Sequence, residues 1–298
     1  MAVDGWRLIR QNLPLNRGST RNTAPMPLDH YRQTNRANWD ARVDIHVESD
    51  VYGIRRFVDD PEFVGAVVRF DAARLGDVDG RSLLHLQCHI GTDTIGWARL
   101  GAEVTGIDIS PKSIEAARRI SDDTGTPARF IVSELYDAPA ALPETFDVVY
   151  TGVGAICWLP NIEGWAEVVA RFLVPGGRFY MREAHPILWA LDIERDDDLL
   201  VVDYPYFETA EPQHWSETFT YAGDGEVASP DTYDWNHGMA ETLQALIDAG
   251  LRIDEIEEYD FLEWEAGPVN QLGDDGRYRL PERRERLALM WSVLATKT

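Results

Sequence analysis

Residues 83–108 constrain this chain more than any other stretch. They read Leu-Leu-His-Leu-Gln-Cys-His-Ile-Gly-Thr-Asp-Thr-Ile-Gly-Trp-Ala-Arg-Leu-Gly-Ala-Glu-Val-Thr-Gly-Ile-Asp. An apolar run ends in a polar loop at Gly91. A helix-like stretch and Gly101 follow, and a second apolar run closes on Asp108. The order is strand, turn, helix, strand, with an acid at the tip of the second strand. Such a unit gathers backbone N–H groups and a carboxylate around one nucleoside-like ligand.

The rhythm continues along the chain. Strands are expected over 82–87, 102–107, 128–132, 146–151 and 177–184, with helices over about 92–100, 111–122 and 161–173. Ser110 before Pro111 supplies a cap and a first-turn proline. Alternating strands and helices on short links predict an α/β fold with a doubly wound parallel sheet. A helix over about 237–250 ends at Gly250, and 251–259 and 288–296 read as two last strands. The sum is a mostly parallel, seven-stranded, Rossmann-like sheet.

Around this core the pattern changes. Residues 1–27 read as a flexible arm and 28–79 as a helical lid, with Tyr31 and Trp39 on one helix and Phe63, Val64, Val67, Val68 and Phe70 on another. The core occupies 80–184 and resumes over 236–298. Between them, residues 185–235 carry 13 acidic residues against the single base Arg195, among many aromatics. Leu199–Phe207 and Trp215–Tyr221 read as strands of a small antiparallel insert. This insert is either the place of substrate choice or a surface for a homodimer.

Net charge is −23, the reverse of what phosphate neutralisation asks, so no nucleic acid partner is expected. No apolar run approaches the roughly 18 residues of a spanning helix, so no membrane partner is expected. Cys88 and Cys157 are expected as free thiols of a cytoplasmic protein. No spacing suggests a metal site.

A dinucleotide is disfavoured, because Gln87 and His89 fill the first two positions of the G-x-G-x-x-G fingerprint. The loop His85-Leu86-Gln87-Cys88-His89-Ile90-Gly91, with Thr92-Asp93-Thr94 after it, instead resembles the class I S-adenosylmethionine (SAM)-dependent methyltransferases of small molecules. The resemblance is closest over 80–184 and looser over 236–296. It implies the α/β fold above, SAM as methyl donor and S-adenosylhomocysteine as product. It implies that Asp108 takes the ribose hydroxyls, that Ile109 and Leu135 touch adenine and that Glu134 accepts from its amine. Thr151 and Gly152 would lie at the sulfonium end. Gly91 is the glycine retained in the loop, and Gln87 and His89 stand where an acid and bare backbone are usual. Pro175-Gly176-Gly177 resembles the turn before the fifth strand.

Transfer requires an acceptor aligned with the methyl and relieved of its proton. Two candidate bases follow from placement at strand or helix ends, His185 and His237, each of which has a structural reading as well. Tyr31 and Trp39 read either as a cofactor lid with Tyr31 near the chemistry, or as core packing. Aromatic faces and carboxylates suit a cationic amine. N-methylation of a small-molecule amine is therefore the working expectation. O-methylation with a histidine base is its rival, and a non-catalytic nucleoside-binding protein on this fold is the reading from another class.

Overall fold

A computed structural model describes residues 29–298 except 194, 196, 198, 224, 268 and 269. The arm expected over 1–27 lies outside the described residues. Three helices precede the core: α1 (His30–Glu48), α2 (Ile54–Asp59) and α3 (Ala66–Leu75). The core alternates β1 (Ser82–Leu86), α4 (Thr92–Arg99), β2 (Glu103–Asp108), α5 (Pro111–Thr124), β3 (Arg129–Val132), α6 (Ala138–Ala141), β4 (Phe146–Thr151), α7 (Ile162–Phe172) and β5 (Leu173–Ala184). After α8 (Pro186–Trp189), β6 (Gln213–Ser216) and β7 (Asp231–Asp234) form a small antiparallel pair. The chain then returns through α9 (Met239–Asp248) and β8 (Leu251–Tyr259). A short hairpin of β9 (Gln271–Leu272) and β10 (Tyr278–Arg279) precedes the last strand, β11 (Met290–Lys297).

The main sheet has seven strands in the order β3-β2-β1-β4-β5-β11-β8. The first five pair in parallel, and β11 runs antiparallel to both neighbours. Each central strand ends where its sequence run ends: Leu86 aligns with Ile107 and Thr151, and Asp108 with Val132. One face packs Trp165, Phe172 and Leu246 from α7 and α9. The other packs Ile95, Trp97 and Ile114 from α4 and α5, with Val68 of α3. Ser110 caps α5 by accepting from the Ser113 N–H at 3.0 Å, with Pro111 in the first turn.

Three expectations are corrected. Leu199–Phe207 forms no strand, only a bridge between Leu191 and Val202; Pro205 has no N–H to give a ladder. The second expected strand of the insert is shifted to Gln213–Ser216, paired with Asp231–Asp234. The second lid helix begins at Ala66, after Phe63 and Val64, which pack ahead of it.

Helix α1 docks in an unusual way. Its buried stripe is Arg32, Asn35, Asn38, Arg42, Val43 and His46, spaced as one helix face but mostly polar. Hydrogen bonds replace apolar contact. The Asn35 amide donates to the Tyr233 carbonyl at 2.6 Å and accepts the Tyr233 N–H at 2.8 Å, and Asn38 donates to the Ser229 carbonyl at 2.7 Å. The helix thereby lies across the insert and over the carboxyl edge of the sheet.

A buried ion pair ties α3 to the sheet. Fully buried Asp71 accepts from Arg182 Nε at 2.6 Å, from the Tyr150 hydroxyl at 2.7 Å and from the Tyr180 hydroxyl at 3.2 Å. Removing one partner of such a pair strands the other charge in a dry site, at a cost of about 3–5 kcal/mol. Asp71→Ala is expected to destabilise the protein by about that amount in urea titration, and Asp71→Asn by less. A loss under about 1 kcal/mol for Asp71→Ala would show that Glu263, 2.9 Å from Arg182 Nη1, suffices to balance it.

Candidate active site

A cleft opens at the carboxyl edge of the sheet, over the β1–β4 junction where the strand order reverses. It encloses about 1070 Å³ of empty space counted to its open mouth.

The loop after β1 forms the floor. Gln87, His89 and Gly91 all have left-handed backbone, with φ of 55°, 48° and 77°. Such a conformation costs a non-glycine residue about 1–2 kcal/mol. The strain sits at the two positions where the family resemblance calls for an acid and for bare backbone. Local bonds hold it in place: Gln87 Nε2 donates to the Ala155 carbonyl at 2.8 Å, and the His89 N–H donates to Asp108 Oδ2 at 2.9 Å. Gly91 has no alternative, since a Cβ there would lie 2.7 Å from Phe130 ring carbons.

Asp108 therefore has a double task. Its other oxygen, Oδ1, accepts the Ser110 N–H at 2.8 Å, so one carboxylate clamps the loops after β1 and β2 together. Each oxygen retains a lone pair for a ligand hydroxyl in the cleft. Burial raises its pKa to about 6, while the two N–H bonds pull the other way.

Ile109, Glu134 and Leu135 line the same end of the cleft. The Glu134 carboxylate is already engaged by the Tyr136 N–H at 2.7 Å, the Asp137 N–H at 3.2 Å and Arg32 Nη1 at 3.3 Å. Gly152 lines the opposite wall, with His85 behind it. Thr151 does not reach the cleft; it is fully buried, and its hydroxyl has no partner. The stretch after β4 is pinned from below by Glu183, whose buried carboxylate accepts the N–H groups of Gly154, Ala155 and Ile156 at 2.8, 2.6 and 2.9 Å.

Trp39 lines the cleft, edge-on to His89 and Trp158. Behind it a chain of side chains crosses four elements. Ser113 Oγ lies 3.0 Å from His89 Nδ1, His89 Nε2 2.9 Å from His46 Nδ1, and His46 Nε2 2.8 Å from Thr220 Oγ1. Burial depresses both imidazoles, His46 to about 4, so the chain is neutral at pH 7.

The histidines chosen from the sequence as bases are not brought to the cleft. His185 caps α8: its Nδ1 accepts the Ile187 N–H at 3.1 Å, and its Nε2 lies 3.0 Å from Glu258. His237 is fully enclosed, with Nε2 donating to the Ile156 and Leu159 carbonyls and Nδ1 2.9 Å from Glu208. Tyr31 also misses the cleft. Its hydroxyl donates to Glu211 at 2.8 Å and its ring packs edge-on to Tyr233.

Sequence reasoning missed Tyr52, Tyr221 and Asp93, all of which line the cleft. Asp93 was legible only as the third residue of Gly-Thr-Asp-Thr. The tyrosines come from a loop and from the insert, and no local pattern announces them.

Do the residues suit the implied methyl donor? Gln87 Oε1 is a buried acceptor with no donor in the protein, beside the loop that resembles the donor's methionine-binding segment. An ammonium group would satisfy it. With Asp108 free to accept further hydroxyls, the fit is good. Among the described residues, no group of three or more His, Cys, Asp or Glu is placed to hold a metal ion, and no helix is long and apolar enough to cross a membrane.

Residues 84–179 match the family model described as a methyltransferase domain. Over 101 residues the chain is 32% identical to the ubiquinone biosynthesis O-methyltransferase of Proteus mirabilis, covering 34% of this chain and 41% of that protein. Against the Xanthomonas euvesicatoria protein of the same name, identity is 30% over 105 residues, or 35% and 44% of the two chains. The chain thus spans less than half the length of these curated relatives. Among solved structures, a SAM-dependent methyltransferase from Mesorhizobium loti superposes with a TM-score of 0.53 at 22% identity, over 78% of this chain and 99% of the other. One from Methanosarcina mazei gives 0.53 at 20% identity, over 76% and 96%. The strand order and the domain match converge: residues 84–179 match a methyltransferase domain, and the chain has the fold of these SAM-dependent methyltransferases.

Proposed function

We propose that the protein transfers a methyl group from SAM to a small-molecule acceptor. The observation that carries this reading is Asp108, buried at the tip of β2 and presented to a cleft whose loop is held in strained, left-handed backbone. Strain of this kind is kept where it serves a site. Asp108 would take the ribose hydroxyls, Ile109 and Leu135 would flank the adenine, and Gln87 Oε1 would accept from the methionine ammonium. SAM supplies an activated methyl group on a sulfonium. The chain's own residues must bind, orient and exclude water. Small residues at 152, 154 and 155 leave the wall above β4 open for an acceptor, which favours an enzyme over a purely binding protein.

An amine is the acceptor we favour. The cleft is lined by Asp93, Asp108 and Glu134 against Arg32, and by the rings of Trp39, Tyr52 and Tyr221. That lining attracts cations. A hydroxyl acceptor is the second reading, favoured by the O-methyltransferase relatives, although their similarity is confined to about a third of this chain.

Two outcomes test the reading. Calorimetry is expected to show saturable binding of S-adenosylhomocysteine, and Asp108→Ala to weaken it about 10–100-fold, the worth of a bond to a charged group. Unchanged affinity in that variant would remove Asp108 from the site; a parallel melting curve separates this from loss of the loop clamp. His185→Gln, in contrast, is expected to keep its affinity within about twofold, as for a substitution away from the ligand. A large loss there would mean the pocket extends to α8.

A further inference from the structure

We infer that Asp93 is the residue that receives the methyl acceptor, holding an amine through its ammonium form and removing the proton that blocks attack. This inference rests on the methyl-transfer reading above and names the acceptor's chemical class and the group that activates it.

The other acids around the cleft are already occupied. Asp108 accepts two backbone N–H groups, Glu134 two and an arginine, and Glu183 four. Asp93 lines the cleft from the first turn of α4, and among the described residues no donor hydrogen-bonds or ion-pairs with its carboxylate. A carboxylate drawn out of bulk water without a partner is costly. It is retained where a ligand supplies the missing charge.

Its surroundings define that ligand. Arg182 is the nearby cation, but it is committed to Asp71 at 2.6 Å and to Glu263 at 2.9 Å. Asp71 and Glu263 repel a negative charge on Asp93, and Arg182 only partly offsets them. Tyr150 donates to Asp71 and is neutral. On the cleft side, the Tyr52 and Tyr221 hydroxyls bond to each other and both stay neutral. With Trp39, their rings supply aromatic faces in the same cleft. One unpaired carboxylate among aromatic rings is a receptor for an ammonium group on an apolar body. Burial, reinforced by Asp71, raises Asp93 to about 7. A base poised near the working pH both holds and accepts a proton.

The step balances as follows. The bound ammonium gives a proton to the Asp93 carboxylate, leaving a neutral amine. The nitrogen lone pair forms the N–C bond as the methyl carbon's bond to sulfur breaks, and that electron pair stays on sulfur as a neutral thioether. Asp93 returns its proton to solvent when the product leaves. No oxidant, reductant or metal is needed.

The test uses the full chain saturated with S-adenosylhomocysteine. Benzylamine, phenethylamine and cyclohexylamine are titrated at pH 7.5 against benzyl alcohol, phenethyl alcohol and cyclohexanol. Wild type is expected to bind at least one amine about tenfold or more tighter than its alcohol. Asp93→Asn should lose that preference while its S-adenosylhomocysteine affinity stays within about twofold, and Asp93→Glu should restore part of it. No amine preference in wild type, or one that survives Asp93→Asn, overturns the inference. So does a tenfold loss of S-adenosylhomocysteine affinity in Asp93→Asn, which would assign Asp93 to the cofactor. Failure of wild type to bind S-adenosylhomocysteine at all sinks the methyl-transfer reading itself.

A second measurement reads the carboxylate without a ligand. A raised folded-state pKa means the native protein holds more protons than the unfolded chain between about pH 4 and 7, so this group's contribution to stability falls as pH rises through that window. Asp93→Asn is therefore expected to melt above wild type at pH 8, with the difference shrinking toward pH 4. A pH-independent difference overturns the assignment.

Discussion

The site depends on one carboxylate. Asp108 accepts the His89 N–H from the loop after β1 and the Ser110 N–H from the loop after its own strand. Two chain reversals are thus set by a single buried group at the point where the sheet presents its carboxyl edge. Without it, the left-handed backbone at Gln87 and His89 would lack one of its restraints. In many proteins glycine makes such a loop without strain. Here strain is tolerated, and in return two polar side chains stand in the floor: Gln87 with an orphan acceptor, and His89 as the centre of a hydrogen-bonded chain reaching α1 and the insert.

That chain explains how α1 is held. Helix α1 buries a polar stripe, so its position follows from directed bonds: Asn35 and Asn38 to the insert backbone, His46 to His89, and Asp40 to the Ser110 hydroxyl at 2.6 Å. Helix α1, the insert and the loop therefore form one hydrogen-bonded unit over the cleft. The electrostatics have the same logic. Asp71, Glu183, Glu134 and Asp108 are each surrounded by donors, as buried acids must be. Against that background Asp93 is conspicuous, because Arg182, the cation beside it, has been taken by Asp71 and Glu263.

The central βα units were legible because each carries its own signals. Val104 and Ile107 are apolar where the strand is buried, Ser110-Pro111 starts a helix, and Gly125 ends it in left-handed backbone. Part of the cleft lining followed from the same local order: Gln87, His89, Asp108, Ile109, Glu134, Leu135 and Gly152 all face the cleft. The insert was less legible. Its residues 199–207 look strand-like in composition, yet Leu199, Val202 and Phe207 stay exposed and Pro205 interrupts any ladder.

The rest of the cleft could not be read from the sequence. His185 and His237 sit at strand and helix ends where a base is plausible, but each ring is consumed by a neighbour distant in sequence, Glu258 for one and Glu208 for the other. Tyr52, Tyr221 and Asp93 converge from a loop, the insert and α4, about 40 to 170 residues apart in sequence. The sequence alone determined the alternation of strand and helix, the acid at the tip of the second strand and the loop between them, because periodicity and turn chemistry act over a few residues. Only the tertiary structure decided which titratable groups are satisfied and which is left facing the cleft, because desolvation and pairing depend on what packs from across the fold.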